Sequence, residues 1–338
     1  MVPPERPGAS VVVATYQRRD RVLRLLTALA NQRGVDGFEV VVVDDASSDG
    51  TLDAVHRAAP GLPFPVVALA QPANGGPAAA RNRGWQASRG AVVAFIDDDC
   101  VPAPGWLAAL LAGMQEADVV AGRTTAPPGG LDERGPFSYW IVDDGRSGRF
   151  STCNVAYRRE VLEAVGGFDE TGFCYHRPGG QRRRCINGED TDLGWRAVEA
   201  GFRPAAADQA VVEHDVLPSD FRTHLQSVPR LAGLVLLFKK HPHLRREFGK
   251  GVAYRTEDVA AGTFFAAGAA AVGLRRLRFP AVVLCVIALG WYLKIVARRP
   301  QPAGLAARLG TTVLGLVADG YACAVMAAAS ARYRTLLL

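Results

Sequence analysis

AVVAFIDDDC (residues 91–100) carries an apolar run straight into three adjacent carboxylates, Asp97, Asp98 and Asp99. The run shows no polar alternation, which is the pattern of a strand buried on both faces. Like charges at consecutive positions repel, and carboxylates crowded against a buried strand end need a cation or hydrogen-bond donors beside them. The stretch therefore poses a question of fold and a question of chemistry together.

Working outward, SVVVATY (10–16), FEVVVVDD (38–45) and FPVVALA (64–70) read as further strands of the same kind. Between them DRVLRLLTALANQ (20–32), residues 48–59 and GPAAARNRGWQAS (76–88) read as helices, with Asp20 placed to cap the first and Ser48 or Asp49 near the start of the second. Apolar strands alternating with helices predict an α/β fold with a doubly wound, mostly parallel sheet covered on both faces. Ligands in such sheets sit outside the carboxyl ends of the strands. Those ends carry Thr15 and Tyr16, Asp44 and Asp45, and Asp97 to Asp99. Capping or solvation explains any one of these carboxylates, but not five on one edge. A D-x-D pair at a strand end reaches one divalent cation, and Mg²⁺ or Mn²⁺ often shares its oxygen ligands with substrate phosphates.

Other chemistries lack their signatures. No GxGxxG follows the first strand, and neither GxxxxGK[ST] nor GxSxG occurs, which argues against a dinucleotide-binding dehydrogenase, a P-loop protein and an α/β-hydrolase. The 338 residues, 49% apolar and 21% charged, suit one large globular domain, or one with an appendage. A net charge of +6 is compatible with a nucleic acid, a membrane surface or a phosphorylated substrate. The six cysteines form no CxxC pair and no disulfide framework, so reduced thiols are expected. Cys174, His176 and Cys185 share one loop, and a zinc site there would lack a fourth ligand.

VVVATYQR (11–18), VVVDDASSDGT (41–51), NGGPAAARNRG (74–84), FIDDDC (95–100), GGFDE (166–170) and EDTDLGWR (189–196) occur in this order. In this order and spacing the sequence resembles family 2 glycosyltransferases of the GT-A fold, over roughly residues 8–217. The resemblance implies an inverting glycosyltransferase that takes a sugar from a nucleotide-diphosphate sugar, most often a UDP-sugar, with Mn²⁺ or Mg²⁺ and no nucleic acid partner. By the same resemblance Thr15 and Tyr16 would line the base pocket. Asp44 would accept a hydrogen bond from the base, with Asp45 the alternative. Arg81 would lie near the base or diphosphate. Asp97 would face ribose and metal, Asp98 would belong to the nucleotide-sugar site, and Asp99 would bind the metal. Asp190 would be the catalytic base, with Glu189 shaping the acceptor side. His214 would join the metal ligands, with Asp215 as its support. Residue chemistry supports Asp190 separately: inverting transfer needs one base, because a metal-bound diphosphate leaves as an anion and needs no strong acid. The competing reading is that Asp190 caps the helix over TDLGWRAVEAG.

The loop 171–188 carries Arg177 and the run Arg182, Arg183, Arg184. Such a run is ordinarily a solvated surface; at the acceptor side it would grip an anionic acceptor. Trp140 would stack on a sugar face, and core packing is its bland alternative.

Beyond residue 217 the composition changes. Residues 218–256 read as an amphipathic helical linker with basic residues Lys239, Lys240, Arg245 and Arg246, and 257–338 as an apolar helical tail associated with a membrane. Three apolar segments, 258–274, 279–297 and 309–329, follow, with arginines between them, and Gly262, Gly268 and Gly273 would permit close helix contacts. A soluble bundle is the alternative. The N-terminal MVPPERPGAS has no apolar core and does not read as a signal peptide. Together these features predict an enzyme at the cytoplasmic face of a bacterial-type membrane, or in the cytoplasm, acting on a lipid-linked or envelope glycan. Two other classes stay open: a catalytically silent GT-A binding or scaffold protein, and a sugar-nucleotide pyrophosphorylase, although TYQRRD (15–20) lacks the glycines that the latter needs.

Overall fold

The computed structural model describes residues 7–132, 134–176, 183–247, 255–297 and 304–337. They fall into two units, one of residues 1–132 and 140–216, the other of 133–139 and 217–338.

The first unit opens with β1 (Ala9–Thr15), α1 (Arg19–Leu29), β2 (Phe38–Asp44), α2 (Thr51–Ala58), β3 (Val66–Ala70), α3 (Pro77–Ala87) and β4 (Val92–Phe95). It continues with β5 (Cys100–Pro102), α4 (Trp106–Gly113), β6 (Val119–Thr125), β7 (Val155–Arg158), α5 (Arg159–Val165), β8 (Cys174–His176), β9 (Arg183–Cys185), α6 (Glu189–Glu199) and β10 (Pro204–His214). The main sheet runs β3-β2-β1-β4-β7-β6-β10-β5. β3, β2, β1 and β4 are parallel, as the sequence predicts. The other half is mixed, with β10 parallel to β6 but β7 antiparallel to β4 and β6 and β5 antiparallel to β10, so that the sheet is mostly parallel, as expected. The sheet is mixed because β7 arrives after a long irregular stretch rather than by a helical crossover, so right-handed parallel winding does not constrain it.

The uniformly apolar strands follow from burial on both faces. Val11, Val13, Val40 and Val42 pack into one core with Val22, Leu25 and Leu26 of α1 and Leu107 and Leu110 of α4. Val12, Val41 and Val43, alternate along the same strands, pack into a second core with Ala78 and Ala80 of α3 and Leu193 of α6. α3 comes very close to the sheet. A Cβ on Gly84 would lie 2.4 Å from Val12 Cγ1. Gly84→Ala is therefore expected to lower stability by about 1–3 kcal/mol despite alanine's better helix propensity, read as an earlier urea midpoint.

Two expectations need correction. Asp20 does not cap α1: the helix starts at Arg19, which puts Asp20 inside its first turn. The Arg19 N–H is instead met by Asp49 Oδ2 at 3.2 Å, from the loop before α2. Cys174 and Cys185 are not free thiols. β8 and β9 form an antiparallel hairpin that sets them directly opposite one another, with Cα atoms 4.1 Å apart, and a disulfide joins them. That bond removes both sulfurs from the zinc alternative. Arg177 and Arg182 lie outside the described residues, and Arg183 and Arg184 are described only as backbone of β9.

The second unit is helical: α7 (Phe221–Ser227), α8 (Ala232–Lys240), α9 (Leu244–Glu247), α10 (Thr256–Gly273), α11 (Arg278–Val296) and α12 (Leu305–Tyr333). Asp220 caps α7 by accepting the Thr223 N–H at 2.7 Å. α11 and α12 are long and apolar enough to cross a membrane, by length and composition. Both leave large side chains exposed, among them Phe279, Val286 and Ile287 on α11 and Leu309 and Val313 on α12. Inside the unit the Tyr292 hydroxyl donates to Asp319 Oδ2 at 3.0 Å. Gly262 makes a close helix contact, since a Cβ there would meet Cys323 Sγ at 2.3 Å, whereas Gly268 and Gly273 face open space.

Candidate active site

Parallel pairing of β1 with β2 places Thr15 level with Asp44. Ile96 N donates to Val12 O at 3.3 Å, which keeps the chain beside β1 until the three aspartates turn off the strand end. The three then point to different partners. Asp98 accepts from Thr15 Oγ1 at 2.7 Å and from Arg18 Nη1 at 2.7 Å. Asp99 accepts from the same Arg18 Nη1 at 2.9 Å. Asp97 accepts from Arg81 Nη2 at 2.8 Å, and Arg81 Nη1 donates to Glu189 Oε1 at 3.2 Å. Arg81, buried on α3, thus ties the strand end to the first residue of α6.

Electrostatics follow this pairing. Burial pushes the Asp98 carboxyl above its usual range, against the lowering pull of Arg18 and the Thr15 hydroxyl. Burial acts to lower the pKa of Arg18, but the Asp98 and Asp99 charges outweigh it and hold the guanidinium firmly protonated. Asp190 is pushed up to about 7, first by burial and next by the adjacent Glu189 charge, while the Thr191 N–H and Arg81 pull it down. The Asp190 carboxylate accepts that Thr191 N–H at 2.7 Å, so it satisfies one donor in the first turn of α6, and the residue before the helix, Gly188, offers no side chain to do so.

β10 runs antiparallel to β5 with His214 opposite Cys100. His214 Nε2 lies 3.5 Å from Asp99 Oδ1. His214 Nδ1 sits 2.8 Å from the Asp215 carbonyl oxygen. A carbonyl only accepts, so Nδ1 carries a proton and Nε2 is left turned toward the Asp99 oxygen. Asp215 thus supports His214 through its backbone. Its carboxylate is engaged elsewhere, accepting from Arg24 Nη2 at 2.7 Å. A buried carboxylate oxygen and an imidazole nitrogen this close could share a divalent cation, and one carboxylate with one imidazole is a donor set for Mn²⁺. Cys100 Sγ is near enough to belong to the group, all ligand atoms lying within 4.8 Å of one another. Burial and the neighbouring Cys153 raise its thiol well above the usual value.

The two aspartates that end β2 differ. Asp45 accepts from Gly75 N at 2.7 Å and Gly76 N at 2.8 Å, and so clamps the turn that starts α3. Asp44 accepts from Ser47 N at 3.2 Å through Oδ2, while its buried Oδ1 has no hydrogen-bond partner among the described residues. A buried carboxylate oxygen without a donor is costly unless a ligand supplies one.

The structure therefore gathers Thr15, Asp98, Asp99 and His214 around Arg18, and joins Asp97, Arg81 and Glu189 in a second network, with Asp190 next to Glu189 on α6 and Asp44 and Asp45 at the end of β2. Tyr16 and Trp140 are both partly exposed and enter none of these bonds. The sequence reading missed Arg18, Arg21 and Arg24. Arg21 and Arg24 share one face of α1, Arg18 precedes the helix at its capping position, and together they meet Asp98, Asp99 and Asp215.

Known proteins resemble the chain in sequence and in fold. Residues 10–166 match the profile described as Glycosyl transferase family 2. The chain is 30% identical over 236 residues to the pre-mycofactocin glycosyltransferase of Mycobacterium tuberculosis (strain ATCC 25618 / H37Rv), covering 63% of this chain and 44% of that protein. It is 28% identical over 221 residues to glycosyltransferase AglE of Haloferax volcanii, covering 63% of this chain and 68% of that one. The chain thus spans less than half the length of the mycobacterial relative. Among solved structures it resembles the mannosyltransferase PcManGT from Pyrobaculum calidifontis, in complex with GDP-Man and Mn²⁺, with TM-score 0.60 and 22% identity over 95% of this chain and 88% of that one. It also resembles S. aureus TarS 1–349 in complex with UDP-GlcNAc, with TM-score 0.51 and 18% identity over 97% and 92% of the two chains. Residues 10–166 thus match glycosyltransferase family 2, and the chain shares the GT-A fold of these solved glycosyltransferases.

Proposed function

We propose that the chain transfers a sugar, with inversion, from a nucleotide-diphosphate sugar to an acceptor hydroxyl, with Asp190 as the base. The observation that carries this reading is the single link from Asp97 through Arg81 to Glu189, which holds the start of α6 against the strand-end carboxylates. It sets one carboxyl of raised pKa next to a cluster suited to a cation and a diphosphate.

In this reading Asp44 Oδ1 accepts an N–H from the base, most often uracil in this family, and Asp45 keeps its place as the clamp on Gly75 and Gly76. Thr15 and Tyr16 line the base pocket, and Asp97 and Asp98 face the donor. Asp99 and His214 would hold Mn²⁺ or Mg²⁺, whose charge would offset that of the departing diphosphate. Asp190 takes the proton from the acceptor hydroxyl as that oxygen bonds to the anomeric carbon. The bond from that carbon to the phosphate oxygen breaks, and its electron pair leaves with the diphosphate. Glu189 and Trp140 border the acceptor. Arg182, Arg183 and Arg184 belong to the loop that would meet an anionic acceptor, a lipid-linked or envelope glycan. The apolar α11 and α12 would keep the enzyme at the cytoplasmic face of the membrane, where such acceptors are assembled.

Purified protein incubated with UDP-, GDP- and dTDP-sugars, Mn²⁺ or Mg²⁺ and membrane extract is expected to release nucleotide diphosphate from one donor class and to form a product of inverted anomeric configuration by NMR. Retention of configuration, or no turnover with any donor, sinks the reading.

A further inference from the structure

The carboxylates that suit a divalent cation already hold a cation of the chain's own. Arg18 Nη1 bridges Asp98 Oδ1 at 2.7 Å and Asp99 Oδ2 at 2.9 Å. Arg21, one turn along α1, brings Nη1 within 3.9 Å of the same Asp99 oxygen. The other Asp99 oxygen faces His214 Nε2 at 3.5 Å. A divalent ion seated on Asp99 and His214 would share one small carboxylate with a guanidinium. Two positive charges that close, in a site largely shielded from water, repel strongly. Arginine cannot relieve the repulsion by losing its proton, so it has to move.

Arg18 is built to move. It stands just outside α1, in the capping position, with non-helical backbone at φ −143°. Its side chain is 37% exposed while its two carboxylate partners are 3% and 5% exposed. The guanidinium therefore reaches in from the solvent side and can swing outward without disturbing the core.

We propose that Arg18 is an internal counter-ion that competes with the divalent cation for Asp98 and Asp99 and passes to the donor's diphosphate when the cation binds, so that cation and diphosphate bind tightly only together. This rests on the donor-binding reading above. A diphosphate brought by the same cation would offer the released guanidinium a new anion, and the planar fork of arginine pairs with phosphate oxygens in two-pronged fashion. Each ligand then removes the obstacle to the other, which is a binding coupling and reciprocal by thermodynamic necessity.

Mn²⁺ binding to the full chain is measured by the EPR signal of free Mn²⁺ and by calorimetry, alone, with UDP and with UMP, with GDP and GMP run in parallel. Wild type is expected to bind Mn²⁺ weakly alone and about tenfold more tightly with a nucleoside diphosphate, with little gain from a monophosphate. Arg18→Gln is expected to bind Mn²⁺ alone about tenfold more tightly than wild type and to gain less from the diphosphate. Arg18→Lys, which keeps the charge but not the fork, is expected to stay close to wild type for Mn²⁺ alone and to lose part of the coupling. Melting curves in the same buffers establish that each variant is folded, and Arg18→Lys carries the test if Arg18→Gln does not fold. Equal Mn²⁺ affinity in wild type and Arg18→Gln, with the coupling intact, would reduce Arg18 to a structural ion pair and overturn the proposal alone. No Mn²⁺ binding by any of these proteins, with or without nucleotide, would overturn the donor reading as well.

Discussion

Asp190→Asn is expected to lower the transfer rate by about 10²–10⁴-fold, the range that a positioned general base supplies, and at the same time to make the protein more stable at pH 8. The two effects share one cause. Burial and the Glu189 charge push the Asp190 carboxyl up to about 7, so at alkaline pH the fold holds an ionised carboxylate where it is disfavoured. The unfolded chain releases that proton near the ordinary aspartate value and the folded chain only near 7. The folded state therefore binds more protons between those values, and stability falls as pH rises through that window. Asparagine cannot ionise and still accepts the Thr191 N–H. Because Asp190 is only partly covered, the gain at pH 8 is discounted to about 1–2 kcal/mol, a rise in melting temperature of about 2–6 °C for a unit of this size. At pH 4 the difference between the two proteins is expected to vanish. A cap residue without catalytic duty would show the opposite pattern, with activity kept and stability unchanged or lower.

As the proposed base, the same group is expected to set the pH profile. A base must be deprotonated to act, so kcat/KM is expected to rise with pH through a midpoint near the value of about 7 for Asp190. Glu189→Gln removes the neighbouring charge that raises Asp190 and leaves Arg81 to act on it more strongly. The midpoint is expected to move to lower pH in that variant with catalysis retained. Loss of all activity in Glu189→Gln, with an unshifted profile in Asp190→Asn, would transfer the role of base to Glu189.

Much of the first half of the sheet was legible because burial on both faces writes itself into the sequence. The valines of β1 and β2 alternate between two cores, so no polar residue interrupts either run. The carboxylates stood out for the opposite reason, as charges where an apolar run ends. What escaped depends on contacts distant in sequence. β7 is four residues long and its place beside β4 comes from pairing across more than sixty positions, Val92 with Arg158. Short strands and remote register leave no local periodicity to read. Cys174 and Cys185 become partners only once a hairpin sets them face to face. Asp20 looked like a cap on local grammar, but the donor it was meant to satisfy is met by Asp49, thirty residues away. Arg18 escaped because a long side chain reaches carboxylates eighty residues further on, and nothing in QRRDR distinguishes an arginine that does so from one facing solvent.

EDTA is expected to reduce transfer by about 10²–10³-fold, with Mn²⁺ restoring it, since stabilising a leaving diphosphate in a shielded site accounts for several kcal/mol of barrier. Asp99→Asn and His214→Gln separate the ligands. Asp99→Asn removes the only anionic member of the pair and should abolish rescue by Mn²⁺ and Mg²⁺ alike. His214→Gln leaves the carboxylate and removes the imidazole, the ligand that favours Mn²⁺ over Mg²⁺. That variant should keep Mg²⁺-supported activity near the wild-type level and lose most of its Mn²⁺ advantage. Equal losses with both ions would make His214 a packing residue, held by the Asp215 carbonyl for its shape alone. A rate untouched by EDTA would remove the metal from the mechanism. The positive charge needed at the diphosphate would then fall to the face of α1, where Arg18 and Arg21 already approach the Asp99 carboxylate.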